Sequence, residues 1–225
     1  MRKVAPDARQ LTAAMEVLRA FGEGRAVKVL DVNLDQHMML LERVIPGTTL
    51  ASSASEDDAI HVVATLFAAG WPAIPTATSA TPLEDFLPAL GATEFARARS
   101  IFSNLLADAP AAALLHGDLH YGNVLVSRRA GHLLIDPKGF IGDPGFDIGY
   151  LVSRPTPTAR DGLPLSRAID RRLALLPDAL GLDVQRVASF AYVAAALSTA
   201  WAREDRDPSA RLFENAMQIL EHRVR

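Results

Sequence analysis

The stretch from Leu115 to Tyr150, LHGDLHYGNVLVSRRAGHLLIDPKGFIGDPGFDIGY, constrains this chain more than any other. Asp118 is followed five positions on by Asn123. Two short apolar runs come next, Val124–Ser127 and His132–Ile135, separated by the polar, Gly-ended turn Arg128-Arg129-Ala130-Gly131. That pattern predicts a β-hairpin. A hairpin returns the chain to its start, so Asn123 and Asp136 should lie side by side, with Asp118 one loop away. Two oxygen ligands beside a further carboxylate suit a hard cation such as Mg²⁺ on a nucleotide phosphate. The remaining carboxylate is then free to orient or deprotonate an attacking hydroxyl. Loop acids also cap helices and turns, and a lone His-Gly-Asp would mean little. The whole run at this spacing is far more specific.

His-x-Asp, an Asn five residues after the Asp, and a second Asp beyond the next hairpin follow the order of the kinase catalytic core. The form found here, His116-Gly117-Asp118 with His120 two residues on, resembles the aminoglycoside phosphotransferase family. Asp136-Pro137-Lys138-Gly139, Gly142-Asp143-Pro144 and Phe146-Asp147 resemble its streptomycin 6-kinase and hydroxyurea phosphotransferase branch, as does Ala195–Asp205.

The resemblance implies an α+β, protein-kinase-like two-lobe fold. Residues 1–47 would form an incomplete N-terminal β lobe (a helix, two strands and a hinge), and residues 48–225 a mainly helical catalytic lobe. The implied reaction moves the γ-phosphoryl group of ATP, with Mg²⁺, to a hydroxyl of a small cationic molecule. An aminoglycoside such as streptomycin, inactivated in the process, is the leading candidate. A non-catalytic remnant of such an enzyme and a kinase for another metabolite are the alternatives.

Residue by residue, the resemblance makes Asp118 the base or the group that orients the acceptor hydroxyl. An ordinary carboxylate, with a pKa of about 3.9, is a weak base at neutral pH, which favours orientation. Asn123 and Asp136 would hold the metal. His116 would brace the loop backbone, while His120 has no assigned role. Lys138 either reaches a transferring phosphoryl group or is a solvated lysine. Asp143 and Asp147 would support the loop, Asp147 by capping the next helix or by tying back to the loop backbone. Leu41–Gly47 resembles the hinge, whose backbone near Glu42, Arg43 and Val44 would meet adenine; an edge strand with a turn is the plainer reading. Glu204 and Asp205 end a helix near the expected acceptor pocket. There they would meet a guanidinium or ammonium group, or else form an exposed charged turn. Acids at a helix C-terminus oppose its dipole.

The resemblance is weakest at the N-terminus. No Gly-rich hairpin is present, and the chain is expected to be cut short in its first lobe. Lys3 falls where the family carries a phosphate-binding Lys. The helical Glu that should pair with it falls near Ala14, and Glu16 lies on a different helix face.

The rest of the sequence frames this core. The chain has 225 residues, is 49% hydrophobic and 22% charged, and carries a net charge of −3. Such a balance gives no reason to expect nucleic acid or a membrane surface as partner, and leaves oligomeric state open. There is no cysteine, hence no disulfide or thiolate metal site, and no signal peptide or spanning segment is evident. A reducing cytoplasm is the expected location. Asp7 should cap a helix ended by Gly22-Glu23-Gly24. Ala26–Val32 and His37–Val44 read as strands, the second broken by Pro46-Gly47. Thr48–Ser55 reads as a polar linker. Helices are expected over 56–69, from Thr81-Pro82 to Leu90, and over 94–107. After a Pro-rich, mobile stretch at 154–164, three more should follow over 165–180, 183–203 and 208–224.

Overall fold

The computed structural model describes residues 2–155 and 161–224, the side chain of Arg2 excepted. The Pro-rich stretch therefore lies partly outside the described residues. The small lobe starts with β1 (Arg2–Val4), then α1 (Ala8–Phe21), β2 (Val29–Asn33) and β3 (Met38–Leu41). The strands form one antiparallel sheet in the order β1-β3-β2. Helix α1 begins where the sequence predicts, because the Asp7 carboxylate accepts the Gln10 N–H at 2.8 Å. It ends at Gly22, whose φ of 75° ordinary residues avoid.

The expected linker after residue 47 is only half a linker. Pro46–Thr49 is a strand, β4, followed by the single-turn α2 (Leu50–Ser53). β4 pairs with β7 (Val124–Ser127), which in turn pairs with β8 (Gly131–Leu134). A Pro-Gly pair reads locally as a break, but an edge strand tolerates Pro because one side of its backbone needs no partner. The predicted hairpin is present, with Val124 opposite Leu134 and Ser127 opposite Gly131.

Helix α3 (Glu56–Phe67) is capped by Ser55, which accepts the Asp58 N–H. The helix expected from Thr81 to Leu90 is instead the short strand β5 (Thr81–Pro82) and a run of 3-10 turns over Leu83–Leu90. Pro88 inside that run removes an N–H that α-helix needs. α4 (Ala96–Ala107) follows, then β6 (Ala113–Leu115). A third sheet, in the order β5-β9-β6, uses the unexpected β9 (Phe140–Gly142).

α5 (Gly145–Ser153), α6 (Leu165–Leu180), α7 (Val184–Glu204) and α8 (Ala210–Glu221) complete the large lobe. α7 is the core of that lobe, buried from Phe190 through Thr199. α5 lies directly on it. A Cβ at Gly149 would stand 2.6 Å from Phe190 Cβ and 2.7 Å from the Ala191 nitrogen, so only glycine permits this approach.

Candidate active site

The segment joining β6 to β7 carries His116, Asp118, His120 and Asn123, and its shape follows from who accepts its N–H groups. Asp147, fully buried in the first turn of α5, accepts the His116 N–H and the Trp71 indole N–H on one oxygen and the Gly117 N–H on the other, each at 2.8 Å. Of the two roles open to Asp147, tying back to the loop is therefore the one realised. Burial pushes its pKa up to about 6 against the pull of these donors. It stays ionised at neutral pH, the state that three donors require.

His116 is buried too, and loss of hydration lowers its pKa to about 4. A neutral ring with Nδ1 facing the Asp118 N–H at 3.3 Å must carry its hydrogen on Nε2, which meets the Ile135 carbonyl at 3.0 Å. Its own carbonyl accepts the Lys138 N–H at 2.8 Å. His116 thus staples the loop to the strand returning from the hairpin.

The hairpin joins Asn123 and the segment leading to Asp136, as the spacing predicts. The Ile135 N–H donates to the Asn123 carbonyl at 2.9 Å. Asn123 Nδ2 donates to the Asp118 carbonyl at 2.9 Å, which leaves its amide oxygen as the atom able to meet a cation. Asp136 adopts a positive φ of 55°. Three residues on, Gly139 has a φ of 80°, and a Cβ there would stand 2.8 Å from Ala13 Cβ and 3.0 Å from the α1 backbone. The glycine lets α1 close over the segment.

Lys3, on β1, reaches this centre. Its ammonium lies 2.5 Å from Asp136 Oδ1 and donates to the Pro137 carbonyl at 3.1 Å. Burial alone would raise Asp136, but Lys3, with help from Lys138, holds its pKa below the ordinary value. Ala14 is buried and pairs with nothing, while Glu16 accepts the Thr78 hydroxyl at 2.6 Å and the Ser79 N–H at 3.0 Å. The α1 glutamate thus holds the turn before β5, and Asp136 itself is what Lys3 meets.

A cleft of about 660 Å³ opens beside Asp118. Lys138 and Gly117 line it from the loops, Asp7 from the cap of α1, and Arg9, Gln10 and Ala13 from α1 itself. Phe86, Phe140 and Trp201 supply an aromatic wall, with Phe86 4.7 Å from Phe140 and 5.4 Å from Trp201. Asp205 lines the cleft, whereas Glu204 is exposed and outside it. The pairing of Glu204 with Asp205 is corrected accordingly: a helix turns by about 100° per residue, so neighbours face different ways.

The segment expected as the hinge is anchored at Glu42. Its N–H donates to the Lys28 carbonyl at 3.0 Å, and its carboxylate meets Arg129 at 2.6 Å and the Lys28 N–H at 3.1 Å. Asp143 is buried and structural: it accepts the Gly145 N–H at 2.7 Å and pairs with Arg186. His120, which had no assigned role, accepts the Gly122 N–H on Nδ1 at 3.0 Å and turns Nε2 toward Asp118, 3.9 Å away.

Several site residues escaped sequence reading. Trp71 sits far from the motif in sequence, in what reads as a helix-breaking loop. The buried pair Glu56–Arg172, 2.7 Å apart, holds Tyr121 of the loop between β6 and β7 through a 2.7 Å hydrogen bond to Glu56. A Glu in the first turn of a helix reads only as a dipole partner, and nothing local marks it as buried. Among the described residues no group of three or more His, Cys, Asp or Glu could hold a metal, and no helix is long and apolar enough to cross a membrane.

Comparison with known proteins agrees with this geometry. Residues 2–206 match the family described as aminoglycoside/hydroxyurea antibiotic resistance kinase. Streptomycin 6-kinase of Streptomyces glaucescens is 32% identical over 228 residues, covering 93% of this chain and 74% of that protein. Hydroxyurea phosphotransferase of Kitasatospora aureofaciens is 35% identical over 96 residues, 43% of this chain and 26% of its own. Among solved structures, aminoglycoside phosphotransferase APH(3'')-Id of Streptomyces rimosus, in complex with ADP and streptomycin, has a TM-score of 0.63 at 18% identity, covering 88% of this chain and 85% of that one. Choline kinase LicA of Streptococcus pneumoniae has a TM-score of 0.66 at 16% identity, covering 98% of this chain and 85% of that one. These likenesses bear out the protein-kinase-like α+β fold. The chain belongs to the aminoglycoside/hydroxyurea antibiotic resistance kinase family, whose members are phosphotransferases acting on hydroxyl groups of small molecules.

Proposed function

We propose that this protein transfers the γ-phosphoryl group of ATP to a hydroxyl of a cationic small molecule of the streptomycin type. The observation that carries the reading is the joining of Asp118, Asn123 and Asp136 by the hairpin and the loop hydrogen bonds. Asn123 and Asp136 would hold Mg²⁺ through oxygen. Two hard oxygens without a third protein acid fit an ion that takes its remaining ligands from phosphate and water. When bound, Mg²⁺ would offset phosphate charge. Asp118 then orients the acceptor hydroxyl and takes its proton late in the transfer.

Lys3 and Lys138 flank Asp136 and are our candidates to meet phosphate oxygens. Lys138 lines the cleft together with Asp118. Lys138→Ala is expected to lower kcat by about tenfold or more, as losing a charge-stabilising group does, with little change in the KM for the acceptor. An unchanged kcat would return Lys138 to the solvated surface. Arg43 and Val44 remain the candidates for backbone contact with adenine, since the Glu42 N–H is engaged. Asp205 and Asp7, with the aromatic wall between them, supply the charge and the stacking surface a guanidinium or ammonium acceptor needs. We retain the division into a small lobe over 1–47 and a catalytic lobe over 48–225, although β4 hydrogen-bonds to the large-lobe hairpin. The sequence composition supports a cytoplasmic protein acting without nucleic acid or membrane.

A second reading, a nucleotide-binding chain without turnover, draws on Lys3. Its ammonium sits on the carboxylate proposed for the metal, while Glu16, the glutamate of α1, is engaged by Thr78 and Ser79 instead. Calorimetry with ATP, with and without Mg²⁺, followed by a streptomycin phosphorylation assay, separates the two. Metal-dependent binding lost in Asp136→Ala, and turnover lowered about 10²–10⁴-fold in Asp118→Asn, support the kinase. Binding without turnover of any acceptor supports the second reading. No binding overturns both.

A further inference from the structure

Two cavities meet beside α1. The larger is the cleft that holds Asp118. The smaller, about 130 Å³, is bordered by Lys3, Asp136, Pro137 and residues 4–6. Among the described residues only Gln10 and Lys138 border both. Helix α1 holds Gln10 at that junction. Ala13, three residues on and therefore on the same face, packs against Gly139, the neighbour of Lys138. Glu16 ties the same helix to Thr78 and Ser79. A Gln at the third position of a helix often reaches back to the N–H of the capping residue. Here the exposed Gln10 carboxamide makes no such bond, and no other among the described residues, although its backbone N–H is taken by Asp7. Its neighbour Arg9 is tied by Nε to the Ser79 carbonyl at 3.3 Å.

We infer that the Gln10 side-chain amide donates to an oxygen of the phosphoryl group as it passes from nucleotide to acceptor. This rests on the reading of Asp136 and Asp118 given above. With the nucleotide phosphates at Asp136 and the acceptor hydroxyl at Asp118, the reacting phosphorus crosses from the smaller cavity to the larger. Its bond to the ADP oxygen breaks, its bond to the acceptor oxygen forms, and the hydroxyl proton goes to Asp118. Charge in transit is spread over three equatorial oxygens, so a donor fixed at the junction helps most at that moment. Lys138 supplies a cation at the same place. Gln10 supplies a neutral donor with two amide hydrogens, which adds little to the grip on ATP before transfer. Asp7, Arg9 and Asp205 border the larger cavity alone, and Lys3 the smaller alone, so none of them spans the junction as Gln10 does.

The test compares Gln10→Met, which keeps the helix preference of the side chain and deletes the donor, with Gln10→Glu. Assayed with ATP, Mg²⁺ and streptomycin, Gln10→Met should lower kcat about tenfold, with the KM for ATP and the Tm unchanged. Gln10→Glu should lower kcat further, because it sets a negative charge against the phosphoryl oxygens. A purely structural Gln10 gives the opposite order, since a glutamate in the first turn favours the helix. A second readout needs no acceptor. In calorimetry with ADP, Mg²⁺ and aluminium fluoride, a mimic of the phosphoryl group in transit, Gln10→Met should bind the mimic about tenfold more weakly and ADP alone as the native chain does. Equal affinity for the mimic, or a Gln10→Glu as active as the native chain, overturns the inference and leaves the kinase reading in place. A native chain that binds ADP no more tightly with aluminium fluoride than without it overturns the inference together with the transfer reading on which it rests.

Discussion

Asp147→Ala is expected to destabilise the protein by about 3–5 kcal/mol and to abolish phosphoryl transfer. The substitution deletes one buried carboxylate but orphans three donors, the His116 and Gly117 N–H groups and the Trp71 indole. Each buried donor left without a partner costs about 1–3 kcal/mol, and no water reaches a fully buried site to replace the acid unless the loop opens. Opening is the catalytic consequence. The two backbone N–H groups belong to the residues immediately before Asp118, so their release frees the loop that presents it. Asp147→Asn tests the same point more gently. An amide retains one acceptor oxygen but turns an NH₂ group against a donor, and should lie between the native protein and Asp147→Ala. Urea unfolding measures the first effect and the phosphorylation rate the second. A change below about 1 kcal/mol in Asp147→Ala would mean that the loop is held by something else.

The second large effect concerns the pair behind the loop. Glu56→Ala should cost about 3–5 kcal/mol, the range for breaking one partner of a buried ion pair. Arg172 is fully buried, donates to Glu56 through Nε at 2.7 Å, and reaches the carbonyls of Leu151 and Arg154 at 3.2 and 3.0 Å. Its guanidinium also lies 5.0 Å from the Tyr121 ring. Removing Glu56 takes from this charge its carboxylate partner and from the Tyr121 hydroxyl its acceptor. Replacing both partners, as Glu56→Leu with Arg172→Met, should recover part of the loss, because paired buried charges often gain little over apolar residues of similar size. Comparing urea midpoints of the single and double variants decides it. A double variant worse than the sum of the singles would show that Arg172 acts chiefly as the cap of α5.

Both predictions concern residues whose importance lies in partners distant along the chain, and this separates what was legible from what was not. Local signals were read correctly. The Asp7 and Ser55 caps, the hairpin at 124–134 and the long C-terminal helices all depend on neighbours within a few residues, so period and capping chemistry suffice. Strands that pair with distant partners were missed or misread. β4, β5 and β9 are two to four residues long, and each exists only because a strand elsewhere accepts its hydrogen bonds.

The same division runs through the site. By itself the sequence determined the candidate loop and its hairpin, because the order of His116, Asp118, Asn123 and Asp136 is a matter of spacing along one segment. Tertiary structure alone decided what holds and faces that segment. Trp71 and Asp147 meet across 76 residues of chain, Glu56 and Arg172 across two helices, and Lys3 and Asp136 across the two lobes. A buried polar side chain must find its partner wherever the fold brings one. Spacing along the chain carries no record of that meeting.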